Sequence, residues 1–120
     1  MNTKKNWKTE DTDNLFKAVL SLGNIEECEN FFRDLLTEQE IETFAARFKS
    51  ALMLDKGISY RKISAETGMS TATVTRINNW LERGMGGYKL AIANFKNNQN
   101  SEISRTSRDK LFHHRSKTSN

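Results

Sequence analysis

The chain has 120 residues, 36% of them hydrophobic, with a formal net charge of +4 and a pI near 9.3. That length predicts one domain with tails, and so low an apolar fraction is thin for a monomer that must bury its own core, so association is expected to supply the missing burial. No run approaches the ~20 apolar residues of a membrane span, the polar start Met1-Asn2-Thr3-Lys4-Lys5 does not resemble a secretion signal, and one cysteine, Cys28, allows no intrachain disulfide; the expected location is cytoplasmic.

Residues 1–8 read as a flexible arm, with Trp7 as a lone aromatic that anchors the first helix. From residue 10 to 22, Leu15, Phe16, Val19, Leu20 and Leu22 form an apolar stripe at helical spacing, and Asp11 and Asp13 suit the positive end of that helix's dipole. Gly23 ends it. Asn24 caps a second helix, with Glu27 three residues on in a capping-box-like arrangement. Its apolar face is Ile25, Cys28, Phe31, Phe32 and Leu35. Cys28 reads as a buried or half-buried small apolar residue, since the acidic helix around it offers no cation to activate a thiol.

Thr37 with Glu40 makes a cleaner capping box and opens the third, longest helix, whose apolar side is Ile41, Phe44, Ala45, Phe48, Ala51 and Leu52. Phe16, Phe31, Phe32, Phe44 and Phe48 are assigned to core or dimer interface, because aromatic stripes at helical spacing are most often packing. Gly57 ends this helix.

Residues 58–81 read as a short helix, a tight turn and a second helix. Ser59 can accept from the free N–H groups of the first turn, Gly68 can take the left-handed conformation that ends a helix, and Ser70 or Thr71 caps the next one. Buried positions are expected at Ile63, Met69, Val74 and Ile77, with the small Ser64 at a close helix crossing. This is the pattern of a DNA-binding helix-turn-helix. Thr71, Ala72, Thr75 and Arg76 are expected to face outward near the start of the second helix. Their small size lets a helix approach base edges, hydroxyls can bond bases or phosphates, and Arg can pair with guanine or phosphate. Ser70 stands at the helix entrance, and Lys56, Arg61 and Lys62 are expected to position the head on the phosphate backbone.

Gly84-Met85-Gly86-Gly87 is a joint that ends the second helix; a nucleotide-binding loop is the weaker reading, as no strand precedes it and no lysine-hydroxyl pair follows. Tyr88, Leu90, Ala91, Ile92 and Phe95 suggest a final short helix, which closes a domain over residues 9–96. Residues 97–120 are polar and basic and are expected to be mostly disordered, with a short helix around residues 108–112 as an option. His113-His114 lacks the spacing and partners of a metal site, so no metal or cofactor is expected.

Charge is divided along the chain. Residues 10–55 carry eleven acidic side chains against four basic ones. Residues 56–96 carry Lys56, Arg61, Lys62, Arg76, Arg83, Lys89 and Lys96 against Glu66 and Glu82. The positive charge thus overlaps the helix-turn-helix, as a duplex-facing half requires.

From Leu35 to about Asn94 the chain resembles the Trp repressor family, in its TrpR-like YerC/YecD branch. The resemblance is carried by Leu35-Leu36-Thr37-Glu38-Gln39-Glu40, by Arg47 and Gly57, and by residues 59–76, above all Ala72-Thr73-Val74-Thr75-Arg76. It implies an all-α, Trp-repressor-like helical bundle and an intertwined homodimer whose two helix-turn-helix heads enter successive major grooves of double-stranded DNA. It also implies an effector pocket. Thr37, Arg47 and Arg76 match positions that help hold tryptophan in the Trp repressor, but Ile77 and Trp80 stand where that protein has a glycine and a serine. Ile77 or Trp80 is therefore expected to fill the indole's space, which makes tryptophan an unlikely corepressor and leaves the effector unknown.

The function expected is a dimeric, sequence-specific DNA-binding regulator, a repressor. The alternative is a helical protein-protein interaction module that keeps the fold without specific DNA binding. No His, Cys, Ser or carboxylate cluster has catalytic spacing, so no enzyme activity is expected.

Overall fold

The structure is a computed structural model that describes the backbone of residues 6–112 and the side chains of residues 6–99. Among the described residues there are six helices and no strand: α1 Glu10–Leu20, α2 Ile25–Leu35, α3 Glu38–Asp55, α4 Tyr60–Thr67, α5 Thr71–Arg83 and α6 Gly87–Phe112. No helix among these residues is long and apolar enough to cross a membrane.

Local hydrogen bonds fix where the helices start. Thr9 caps α1 by accepting from the Thr12 N–H at 3.2 Å, and the Thr12 hydroxyl receives the Thr9 N–H at 2.8 Å. Asn24 caps α2, accepting from the Glu27 N–H at 2.9 Å. Glu27 does not reach back to Asn24; its carboxylate takes the Gly23 N–H at 2.7 Å, one residue earlier. The capping box at α3 closes both ways: the Glu40 N–H donates to Thr37 Oγ1 at 3.1 Å, and the Thr37 N–H donates to Glu40 Oε1 at 2.9 Å. Each such cap satisfies orphan donors of the first turn and is worth about 1 kcal/mol.

The chain divides into two compact units, Met1–Phe44 and Ala45–Asn120. In the first, neither α1 nor α2 has a buried residue. Phe16, Leu20, Ile25 and Leu35 are 54%, 85%, 74% and 49% exposed. Rings pair at their edges, Trp7 with Phe16 at 6.3 Å and Phe31 with Phe32 at 5.4 Å. Cys28 is half-buried. The apolar stripes have formed helices, as their spacing predicts, but the chain by itself covers them only in part.

The second unit has a true interior. Met53, Ile63 and Val74 join α3, α4 and α5, with Leu54, Ile58 and Met69 against them. Ala51, Ile77, Leu81 and Ile92 join α3, α5 and α6, flanked by Phe48 and Tyr88. Ser50 is the buried polar residue here; its hydroxyl donates to the Ala46 carbonyl at 2.9 Å and lies 3.6 Å from the Met69 sulfur. Lys96 ties α6 to the end of α3 through Asp55 at 2.6 Å.

Two glycines are set by geometry. Gly57 turns the chain at φ 81° after α3. A Cβ on Gly84 would lie 2.3 Å from the Trp80 carbonyl oxygen, so only glycine fits that close approach. The last helix differs from the sequence expectation. It does not stop near residue 96 but continues through residues 97–112, and residues 113–120 lie outside the described residues, with His113-His114 among them. Composition pointed to disorder there, yet residues 88–112 contain neither Gly nor Pro, so nothing interrupts a ladder already nucleated.

Candidate nucleic-acid interface

The reading head is built from α4, a turn and α5. Ser59 caps α4 by accepting the Lys62 N–H at 3.2 Å. Gly68 ends α4 at φ 78°, with its N–H on the Ser64 carbonyl at 3.0 Å. Ser70 caps α5, accepting the Thr73 N–H at 3.1 Å. The turn residue Met69 is held by both its neighbours. Its N–H donates to Thr67 Oγ1 at 3.2 Å, and its carbonyl accepts from the Ser64 hydroxyl at 2.5 Å. The side chain of Met69 packs against both buried clusters and is half-buried rather than buried. Ser64 therefore serves as a hydrogen-bond donor to the turn as well as a small residue on α4.

With Ile63, Val74 and Ile77 fully buried and Leu81 nearly so, the faces of α4 and α5 are assigned. Ser70, Thr71, Ala72, Thr75 and Arg76 are all exposed, and so are Lys56, Arg61 and Lys62. The Thr75 hydroxyl donates back to the Thr71 carbonyl at 2.9 Å, so its oxygen remains able to accept. Arg76 Nη2 donates to Thr73 Oγ1 at 3.2 Å, and Ser70 Oγ lies 3.0 Å from the same oxygen. Thr73 was not among the residues expected from sequence. Its signal was there, since Ser70, Thr73 and Arg76 are spaced i, i+3, i+6 along one helix, but only the bond geometry distinguishes it from the threonines beside it.

The residues expected to hold an effector have separate roles. Thr37, in the first unit, caps α3. Ile77 lies in the apolar interior of the second unit, with Ala51, Leu81 and Ile92. Trp80 is 51% exposed on α5. Arg47 is exposed on α3, and its charge acts on Tyr88: burial pushes the Tyr88 phenol above its ordinary 10.0, and the Arg47 guanidinium opposes that rise. A groove of about 860 Å³ does exist in this unit, floored by Leu54, Leu81 and Ile92 and rimmed by Glu82, Lys89 and Lys96. None of Arg47, Arg76, Ile77 and Trp80 lines it. Among the described residues no group of three or more His, Cys, Asp or Glu side chains could hold a metal ion.

The chain is similar to known proteins in sequence and in fold. The family model for the Trp repressor protein matches residues 10–96. The uncharacterised YerC protein of Bacillus subtilis (strain 168) is 41% identical over 95 residues, covering 79% of this chain and 91% of YerC. A crystal structure of a TrpR-like protein from Eubacterium eligens ATCC 27750 superposes with a TM-score of 0.71 at 38% identity, over 74% of this chain and 92% of that one. A candidate Trp repressor from Staphylococcus aureus gives 0.70 at 37%, over 74% and 89%.

Proposed function

The chain belongs to the Trp repressor family, and from that premise we propose that it is a sequence-specific transcriptional repressor that binds double-stranded DNA as a homodimer. The observation that carries this reading is the two-sided head. Ile63, Val74 and Ile77 anchor it inside the protein, while Thr71, Ala72, Thr75 and Arg76 stand in solvent, as do Lys56, Arg61 and Lys62. An uncharged, small-residue tip can approach base edges, and cationic flanks can meet phosphates.

The homodimer follows from the first unit. Phe16, Leu20, Ile25 and Leu35 lie exposed on amphipathic helices that have no fully buried residue within one chain. Covering each such side chain contributes roughly 1.5–3 kcal/mol. A second copy supplies the same surface in return and gives a two-fold pair of heads, which suits a palindromic site.

Tryptophan is not the corepressor on this reading. Ile77 puts a branched side chain into the interior where a glycine would leave room, and Trp80 adds a ring at a position that a serine would leave open.

Fluorescence anisotropy on duplex DNA tests the proposal. Thr75→Ala and Arg76→Ala should each weaken specific binding by ~1–3 kcal/mol while melting with the parent protein, and parent affinity should fall steeply with salt. Equal affinity of parent and variants on every duplex, or an affinity indifferent to salt, would refute it; the second result would favour a protein-protein module.

A further inference from the structure

Thr73 stands between two residues that the DNA-binding reading uses, and it is itself half-buried on α5. Its hydroxyl oxygen receives Arg76 Nη2 at 3.2 Å, and the Ser70 hydroxyl donates to the same oxygen at 3.0 Å. Ser70 is fixed in turn, because its oxygen takes the Thr73 N–H at 3.1 Å as the α5 cap. The three residues thus form a chain of bonds along one side of the helix: cap, threonine, guanidinium. A threonine in a helix divides between two χ1 rotamers, and here the bonds from Ser70 and Arg76 favour one of them. Arg76, by contrast, is exposed and has no salt-bridge partner among the described residues. A long side chain of that kind loses rotamer freedom when a ligand pins it, and a bond made beforehand lessens the loss.

We propose that Thr73 is a positioning residue for DNA recognition, whose Ser70-held hydroxyl sets the Arg76 guanidinium against α5 before the duplex arrives. This rests on the reading of Arg76 as a DNA contact given above. Thr73 acts through Arg76, so its contribution disappears when Arg76 is removed. The guanidinium keeps its remaining N–H groups for phosphate or guanine, since one nitrogen is spent on Thr73.

The test is a double-mutant cycle on the full chain, by anisotropy with a duplex the parent protein binds. Thr73→Val keeps the branch and volume and removes the hydroxyl; Thr73→Ser keeps the hydroxyl. Thr73→Val should weaken binding about threefold to tenfold, and Thr73→Ser should stay within about twofold of the parent. In an Arg76→Ala background, Thr73→Val should change affinity by less than about twofold. Melting temperatures of the single variants should match the parent, which separates positioning from a loss of folding. Parent-like binding by Thr73→Val, or the same loss with and without Arg76, overturns the proposal and leaves the DNA-binding reading standing. If Arg76→Ala itself binds like the parent, both fail together.

Discussion

The two halves of this chain solve the burial problem differently. In the second unit, α3, α4, α5 and α6 enclose Ala51, Ile63, Val74 and Ile77 completely, and the polar groups of the turn bond to one another. In the first unit, α1 and α2 have apolar faces but no fully buried residue; Leu15, Val19, Phe31 and Phe32 are only half-buried. The amphipathic pattern is therefore necessary for burial but does not supply it; a facing surface must come from somewhere. The α4–α5 head is anchored in an interior it shares with α3 and α6. On the proposed reading, a second copy covers the exposed apolar residues of the first unit.

The largest expected effect breaks that contrast on the exposed side. Replacing Phe16 and Leu20 together by Glu should turn a dimer into a monomer, raising the dissociation constant by 100-fold or more on the ~1.5–3 kcal/mol scale per buried apolar side chain. Sedimentation equilibrium reads this directly, and an unchanged mass would show that the two residues lie outside any self-contact. On the enclosed side, Ile63→Ala should cost about 2–4 kcal/mol of unfolding free energy by leaving a cavity between α3, α4 and α5. Urea denaturation measures it, and the loss should be nearly the same at low and high protein concentration once dimerisation is accounted for. A cost near zero would mean that the head's interior is looser than its burial implies. The smallest effect sharpens the same comparison at Ile77, which lies in the apolar interior with Ala51, Leu81 and Ile92. Calorimetric titration with tryptophan should give no binding heat, and micromolar binding would show that Ile77 and Trp80 leave the pocket open.

The helix-turn-helix was legible in the sequence because its signals are local. Ser59, Gly68 and Ser70 each act within three or four residues, and each takes the capping role its chemistry predicts. The helix starts at Asn24 and Thr37 were legible for the same reason. What depends on distance or on side-chain direction was not. Glu27 chose the Gly23 N–H over that of Asn24, a choice of one residue that spacing alone does not decide. Ser50 gives no sequence signal as a buried hydroxyl beside Met69, since serines on helices usually face water. The end of α6 was misread because composition was weighed against an isolated helix, whereas residues 97–112 continue one that Ile92 and Lys96 already fasten to α3 and α5. The residues proposed for the site could be named by type, but the part proposed for Thr73 could not, because it depends on where Arg76 turns.

Selection of bound sequences from random duplex DNA is the most direct measurement of the whole account. Two outward heads related by a two-fold axis predict a palindromic product with half-sites about one helical turn apart. Recovery of no enriched sequence, or of a single unrepeated half-site bound by one protomer, would contradict it.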